Sequence, residues 1–196
     1  MCSSTIIEDI QHDCCIDSVA MGYFYFDFND RAKQQFKSFL CSLLTMLSYQ
    51  CTTVPPPLAR LYSQNYNGGQ QPHEDSLIST LREMLRLFKR VYIIVDALDE
   101  CSNSEERHQV LTFMEDVVCW KLGNMHLWVT SRREADIEAC FKPLVSHRVE
   151  LHSDFIDQDI QTYLHHQLKN DRRLRWVGEQ SRNLVEENLK GRANGM

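Results

Sequence analysis

Apolar positions along this chain recur with a period that switches between two and 3.6, as expected of strands interleaved with helices. Gly22 to Phe28, reading GYFYFDF, is rich in aromatics and predicts a first strand, with Asn29 or Asp30 behind it as a helix cap. Phe36, Phe39, Leu40, Leu43, Leu44 and Leu47 then fall on one face of a helix. Pro55-Pro56-Pro57 lies beyond its end, and Cys51 to Pro72 predicts a loop with Asn67-Gly68-Gly69 at its tip. Leu77, Leu81, Met84, Leu85 and Phe88 mark a second amphipathic stretch. It leads at Arg90 into Val91 to Val95, VYIIV, whose unbroken apolar run suits a buried parallel strand.

Asn103 and Glu106 stand at capping-box spacing ahead of a helix carried by Val110, Phe113, Met114, Val117 and Val118. Gly123-Asn124 stops that helix, and His126 to Thr130, HLWVT, predicts the next strand. A short helix around Ala135 to Cys140 precedes Pro143, and Arg148 to Leu151 predicts a fourth strand. Asp157 to Lys169 reads as helical through Ile156, Ile160, Tyr163, Leu164 and Leu168, and Glu179 to Leu189 reads as a last helix. No internal repeat is visible. The order β-α-α-β-α-β-α-β-α predicts an α/β fold on a parallel sheet with right-handed crossovers.

Length and charge narrow the function classes. At 196 residues the chain has the size of one domain, and its 43% apolar and 24% charged residues are those of a globular protein. A net charge of -6 builds in no attraction to nucleic acid or anionic lipid, so neither is expected as a partner. The apolar runs fall far short of a membrane span, and no signal-peptide pattern opens the chain, which makes a cytoplasmic location the expectation. The eight cysteines include no Cys-x-x-Cys pair, so they read as reduced core thiols rather than zinc ligands. His165 and His166 are adjacent and point about 100° apart on a helix, which suits solvent better than a metal.

One stretch carries chemistry. VYIIVDALDE, Val91 to Glu100, places Asp96 at the exit of a buried strand and follows it with Asp99 and Glu100. Ligands of open α/β sheets gather at the carboxyl ends of strands, where a carboxylate can hold Mg²⁺ and a neighbouring acid can orient an attacking water. Capping of a turn by Asp96, with Asp99 and Glu100 as solvated loop charges, is the bland alternative. HLWVTSRRE repeats the placement, putting Thr130, Ser131, Arg132 and Arg133 at the next carboxyl end. A polar residue and an arginine there can sense a terminal phosphate, and an arginine pair at a helix start is otherwise slightly disfavoured by the dipole.

DALDE followed by TSRRE resembles the Walker B and sensor segments of NACHT-type NTPases, in the signal-transduction class of P-loop ATPases. YFYFDFNDRAKQQFKSFLCSLLTML resembles the second strand and helix of fungal NACHT proteins and of nephrocystin-like N-terminal modules. The resemblance runs from Ser3 to about Met196. It implies a three-layer parallel sheet of P-loop NTPase type, with Asp96 as the Mg²⁺ ligand, Asp99 and Glu100 as hydrolysis-assisting acids, and Arg132 with Ser131 at the nucleotide. It also implies ATP or GTP as cofactor with Mg²⁺, used as a switch for homo-oligomerisation or protein partners, often ahead of ankyrin or other repeats.

The resemblance has a gap. No G-x-x-x-x-G-K-[ST] phosphate cradle occurs, and Gly68-Gly69 is followed by no lysine. Met1 to Ile7 resembles instead the body of the helix that follows such a cradle. The expectation is an N-terminally truncated NACHT-like NTPase module over residues 1–152, with a helical extension over 153–196. Its missing first strand would lie centrally, between VYIIV and HLWVT. On that expectation this isolated chain binds nucleotide weakly and is inactive. A non-enzymatic interaction scaffold that has lost nucleotide binding is the alternative. An unrelated metal-dependent hydrolase or nuclease using Asp96 is a third and weaker one.

Overall fold

The computed structural model describes residues 2–13, 19–102, 104–149 and residue 162. The chain divides into two compact units, Met1–Val145 and Ser146–Met196, and every element named below lies in the first. These are α1 (Cys2–Asp13), β1 (Val19–Tyr25), α2 (Phe36–Tyr49), α3 (Pro56–Gln64), α4 (Glu74–Leu85), β2 (Arg90–Asp96), α5 (Ser104–Cys119), β3 (Met125–Val129) and α6 (Ala135–Phe141). Single 3-10 turns at Arg31–Gln34, Tyr66–Gly68 and Leu98–Glu100 punctuate the loops.

The three strands form one parallel sheet in the order β1-β2-β3. Between its charged ends the central strand is unbroken apolar, Val91 to Val95, as a strand paired on both sides and covered on both faces should be. Period-two alternation sorts the side chains onto two faces. Ala20, Phe24, Val91, Ile93 and Val95 point into the main core, which is filled by Phe39, Leu40, Leu43 and Leu47 of α2, Leu81 and Met84 of α4, and Val110, Phe113 and Met114 of α5. Met21 and Ile94 point the other way, where Ile6, Ile7 and Ile10 of α1 meet them together with Tyr23, Tyr25 and Tyr92.

Gly22 sets how closely α2 approaches the sheet. A Cβ there would stand 3.0 Å from the Leu43 side chain and 3.4 Å from that of Ile93, so a larger residue would push the helix outward. Around this contact Phe24, Phe36, Phe39 and Phe113 pack edge-on, tilted or stacked, with ring centroids between 5.4 and 6.3 Å apart.

Several expectations change. The stretch from Cys51 to Pro72 is not a plain loop, because it contains α3 and the turn Tyr66–Gly68. Proline blocks a helix interior but suits its first turn, so the triple proline starts α3 while also lying beyond α2. Val118, expected on the buried face of α5, is 36% exposed. Cys101 and Cys140 are buried thiols, but Cys41 and Cys119 are exposed, which overturns a uniform core reading of the cysteines. Arg148 and Val149 form no strand, and the remainder of the expected fourth strand lies outside the described residues. So do Asn103, Cys14, Cys15, the His165-His166 pair, the expected helix from Glu179 and, apart from the helical Thr162, the one from Asp157.

No gap is left between VYIIV and HLWVT, where the missing strand would lie: β2 and β3 pair directly, Val91 with Met125 through Val95 with Val129. The pairing is a full ladder, supported on the α1 side by a Tyr92–His126 ring stack at 5.0 Å. It is closed at the two ends by Val91 N–H to Asn124 O at 2.8 Å and Thr130 N–H to Val95 O at 2.9 Å.

Candidate functional site at the carboxyl ends of the strands

All three strands end at the same edge, and the residues there are set by register. Tyr25 pairs with Asp96, and Thr130 stands one position beyond the last β2–β3 pair, Val95 with Val129. Tyr25, Asp96 and Thr130 therefore form a row across the sheet. Thr130 Oγ1 lies 2.5 Å from Asp96 Oδ1, and the same oxygen accepts the Ala97 N–H at 3.0 Å. One hydroxyl thus joins the acid to the peptide that follows it.

Ala97 makes that geometry by adopting a left-handed conformation, φ 56° and ψ 47°, which costs an alanine about 1–2 kcal/mol. The reversal brings Leu98 N–H to Thr130 O at 3.0 Å and starts the turn Leu98–Glu100. Leu98 is fully buried beneath it and anchors the turn to the core.

The turn presents the other two acids in different directions. Asp99, whose side chain is only 9% exposed, accepts the Arg132 backbone N–H at 2.9 Å and stands 3.5 Å from the Arg132 guanidinium. Glu100 reaches across to the loop after β1 and accepts the Phe28 N–H at 3.4 Å. The Arg132 side chain is 70% exposed, and Ser131 turns its hydroxyl back onto the Arg132 carbonyl at 2.9 Å. The structure thus joins Asp96 to Thr130 and Asp99 to Arg132. It turns Glu100 toward Phe28 and Ser131 toward its own loop.

The loop after β3 is held from behind by α5. Arg107, a largely buried side chain, pairs with Glu134 and stands 3.4 Å from Asp136. This fixes the start of α6 just beyond Arg132 and Arg133.

Tyr25 is a site residue that periodicity did not single out, since it looked like one more strand aromatic. Burial pushes its phenol above the usual tyrosine range, and the Asp96 carboxylate and then Tyr23 push the same way. A hydrogen bond with Ser4 of α1 pulls it back.

The donor set can be compared with what a cation requires. Among the described residues, no three His, Cys, Asp or Glu side chains converge as a ready metal cluster. That leaves no closed zinc-like cage among them. A Mg²⁺ ion would need only one or two carboxylates, with water and phosphate completing its shell, and Asp96 at the end of β2 would be the carboxylate to supply one. No helix among the described residues is long and apolar enough to cross a membrane.

Neither curated proteins nor solved structures gave a match to this chain. The family model described as Nephrocystin 3, N-terminal, does match, over residues 1–132. That span holds β1, β2 and β3 together with Asp96, Asp99, Glu100 and Arg132. The chain belongs to the nephrocystin 3 N-terminal family.

Proposed function

We propose that this chain is the acid-and-sensor part of a NACHT-like, P-loop-type NTPase module that recognises a Mg²⁺-bound nucleoside triphosphate. The observation that carries the reading is the row at the strand ends, with Asp96 and Thr130 joined across β2 and β3 and Arg132 held beside them by Asp99. A carboxylate and an arginine at the carboxyl ends of adjacent parallel strands are what a triphosphate with its cation needs on one side. In this reading Asp96 holds Mg²⁺, which would neutralise the phosphates. Arg132 meets the terminal phosphate, Glu100 orients a water, and Asp99 positions Arg132. Intact relatives would use ATP or GTP as an oligomerisation switch, in the cytoplasm.

The 196 residues contain no G-x-x-x-x-G-K-[ST], whose backbone N–H groups and lysine make most phosphate contacts. Binding by these residues alone is therefore expected to be weak. Titration of the labelled chain with Mg-ATP and Mg-GTP, followed by amide chemical shifts, tests the reading. Shifts confined to Asp96, Ala97, Thr130 and Arg132, and lost in Asp96→Asn, are expected. A titration to saturation that moves none of them would sink it.

A second reading has its own observation. The three acids are each engaged by protein groups, and β2 closes directly on β3. An interaction scaffold without nucleotide binding would keep these bonds for stability alone. It would leave the amides silent to nucleotide.

A further inference from the structure

Gln34, the last residue of the turn Arg31–Gln34 and half-buried, uses both ends of its carboxamide on loops far apart in sequence. Its Nε2 donates to Phe28 O at 2.7 Å, and its Oε1 accepts from Ser102 Oγ at 2.6 Å. Its main-chain oxygen accepts from the thiol of Cys101 at 3.5 Å, and Cys101 is fully buried. Phe28, gripped by Gln34 at its carbonyl, gives its N–H to Glu100 at 3.4 Å. Gln34, Phe28, Glu100 and the Cys101-Ser102 segment therefore close a ring between the loop after β1 and the loop after β2.

The links in that ring differ in strength. The two bonds made by the Gln34 side chain are short, whereas the Phe28 to Glu100 bond is at the long limit for an N–H donor. A long bond persists when its donor is pinned by other contacts, and Phe28 is pinned at its carbonyl. Its own ring is 62% exposed and contributes little anchoring. Without Gln34 the Phe28 backbone is held only by its own turn, Asp30 N–H to Asp27 O at 3.1 Å and Asn29 N–H to Asp27 Oδ1 at 2.9 Å, and the long contact that fixes where the Glu100 carboxylate points is weakened. A water-orienting carboxylate is useful only when held in place by such supports.

We propose that Gln34 is a positioning residue for Glu100, acting through the Phe28 backbone and Ser102. The inference rests on the nucleotide reading for the purpose of Glu100, but its geometry is tested independently of any nucleotide. The amide proton of Phe28 is the probe, since a bond to a carboxylate moves it downfield. In the full 196-residue chain, Glu100→Gln is expected to shift the Phe28 amide upfield. In a Gln34→Met background, of similar size but without either polar end, the same Glu100→Gln change is expected to leave that amide unmoved. Ser102→Ala should give a reduced Glu100→Gln response. The amides of Asp96 and Thr130 should keep their positions throughout.

An equal response to Glu100→Gln in the original chain and in the Gln34→Met background would overturn the proposal, and so would no response in the otherwise unmodified chain. Should Gln34→Met fail to fold, Ser102→Ala decides alone, and an unreduced response sinks the idea. Adding Mg-ATP to the unmodified chain separates the two claims. Silence at Asp96, Ala97, Thr130 and Arg132 ends the nucleotide reading, while the coupling of Gln34 to Glu100 stands or falls on Phe28.

Discussion

Gln50 closes the outer edge of β1 at Met21. Its Oε1 accepts the Met21 N–H at 2.9 Å and its Nε2 donates to the Met21 carbonyl at 2.7 Å, as a neighbouring strand's peptide would. One turn earlier in α2, the Met46 sulfur stands 3.4 Å from the Tyr23 N–H. Side chains of α2 and its C-cap thus occupy ladder positions that would otherwise invite another chain. Gln50→Ala is expected to lower stability by about 1–2 kcal/mol, the cost of leaving the Met21 peptide without partners. It should also speed aggregation. Urea unfolding and light scattering measure both, and a Gln50→Ala chain as stable and as soluble as the original would refute the capping role.

Ala97 offers a substitution with the opposite sign. Its φ of 56° is one that glycine adopts without steric cost, so Ala97→Gly is expected to raise stability by up to about 1 kcal/mol despite the added freedom of the unfolded chain. Ala97→Val, β-branched at a left-handed position, should lower it. Thermal unfolding of the pair gives the answer, and glycine less stable than alanine would mean that the turn relaxes in solution.

The buried thiols predict an alkaline limit. Burial pushes Cys101 and Cys140 up from 9.0 to about 11. Their folded-state values are raised, so the stability they contribute is fully present below pH 9 and is lost as pH rises toward 11. The loss is expected to be at most about 2 kcal/mol per thiol. Stability measured from about pH 8 to 11 should fall more steeply in the original chain than in Cys101→Ala/Cys140→Ala, after correcting for the lower starting value of the double variant. Parallel curves would remove the thiols as the cause.

The direct pairing of β2 with β3 has a reporter in the Tyr92–His126 stack. A double-mutant cycle with Tyr92→Ala and His126→Ala is expected to give a coupling of about 0.5–1 kcal/mol. Zero coupling would mean that the two strands do not lie side by side in solution.

Calorimetry with Mg-ATP and Mg-GTP checks the proposed division of labour at the site. Acidic groups repel a polyphosphate unless a cation bridges them, so binding by these residues should be weak and should require Mg²⁺. Sub-micromolar affinity, or equal affinity with the cation removed, would mean that the phosphates are held by groups other than those at the strand ends.

What the sequence made legible follows from how local each signal is. The six apolar residues of α2 repeat at helical spacing without interruption, and all six are buried. Asp96 could be located because a strand's exit is written next to it. The helix α3 was hidden because it is nine residues long, begins with prolines and buries only Pro57 and Leu61, too few points to define a period. The direct β2–β3 pairing is a long-range choice that no short motif encodes. Gln34 carried no signal, because its side-chain partner Ser102 is 68 residues away and glutamine in a loop resembles any solvated residue. Tyr25 and Ala97 matter through register and backbone reversal, neither of which the residue type announces.

Glu106 sits in the first turn of α5, yet its carboxylate accepts the Phe36 N–H that opens α2, at 2.7 Å and 70 residues away. Gln35, at the cap position itself, offers its side chain to none of the first N–H groups. The start of α2 is thus completed by a group that arrives only after β2 has been laid down and α5 has begun. Such an arrangement ties a local event to a distant one, raising the entropic cost of the early steps and slowing folding relative to a self-capped helix bundle. On that account α2 completes its start only once Glu106 is available. Its amides should gain protection in step with those of α5 rather than ahead of them.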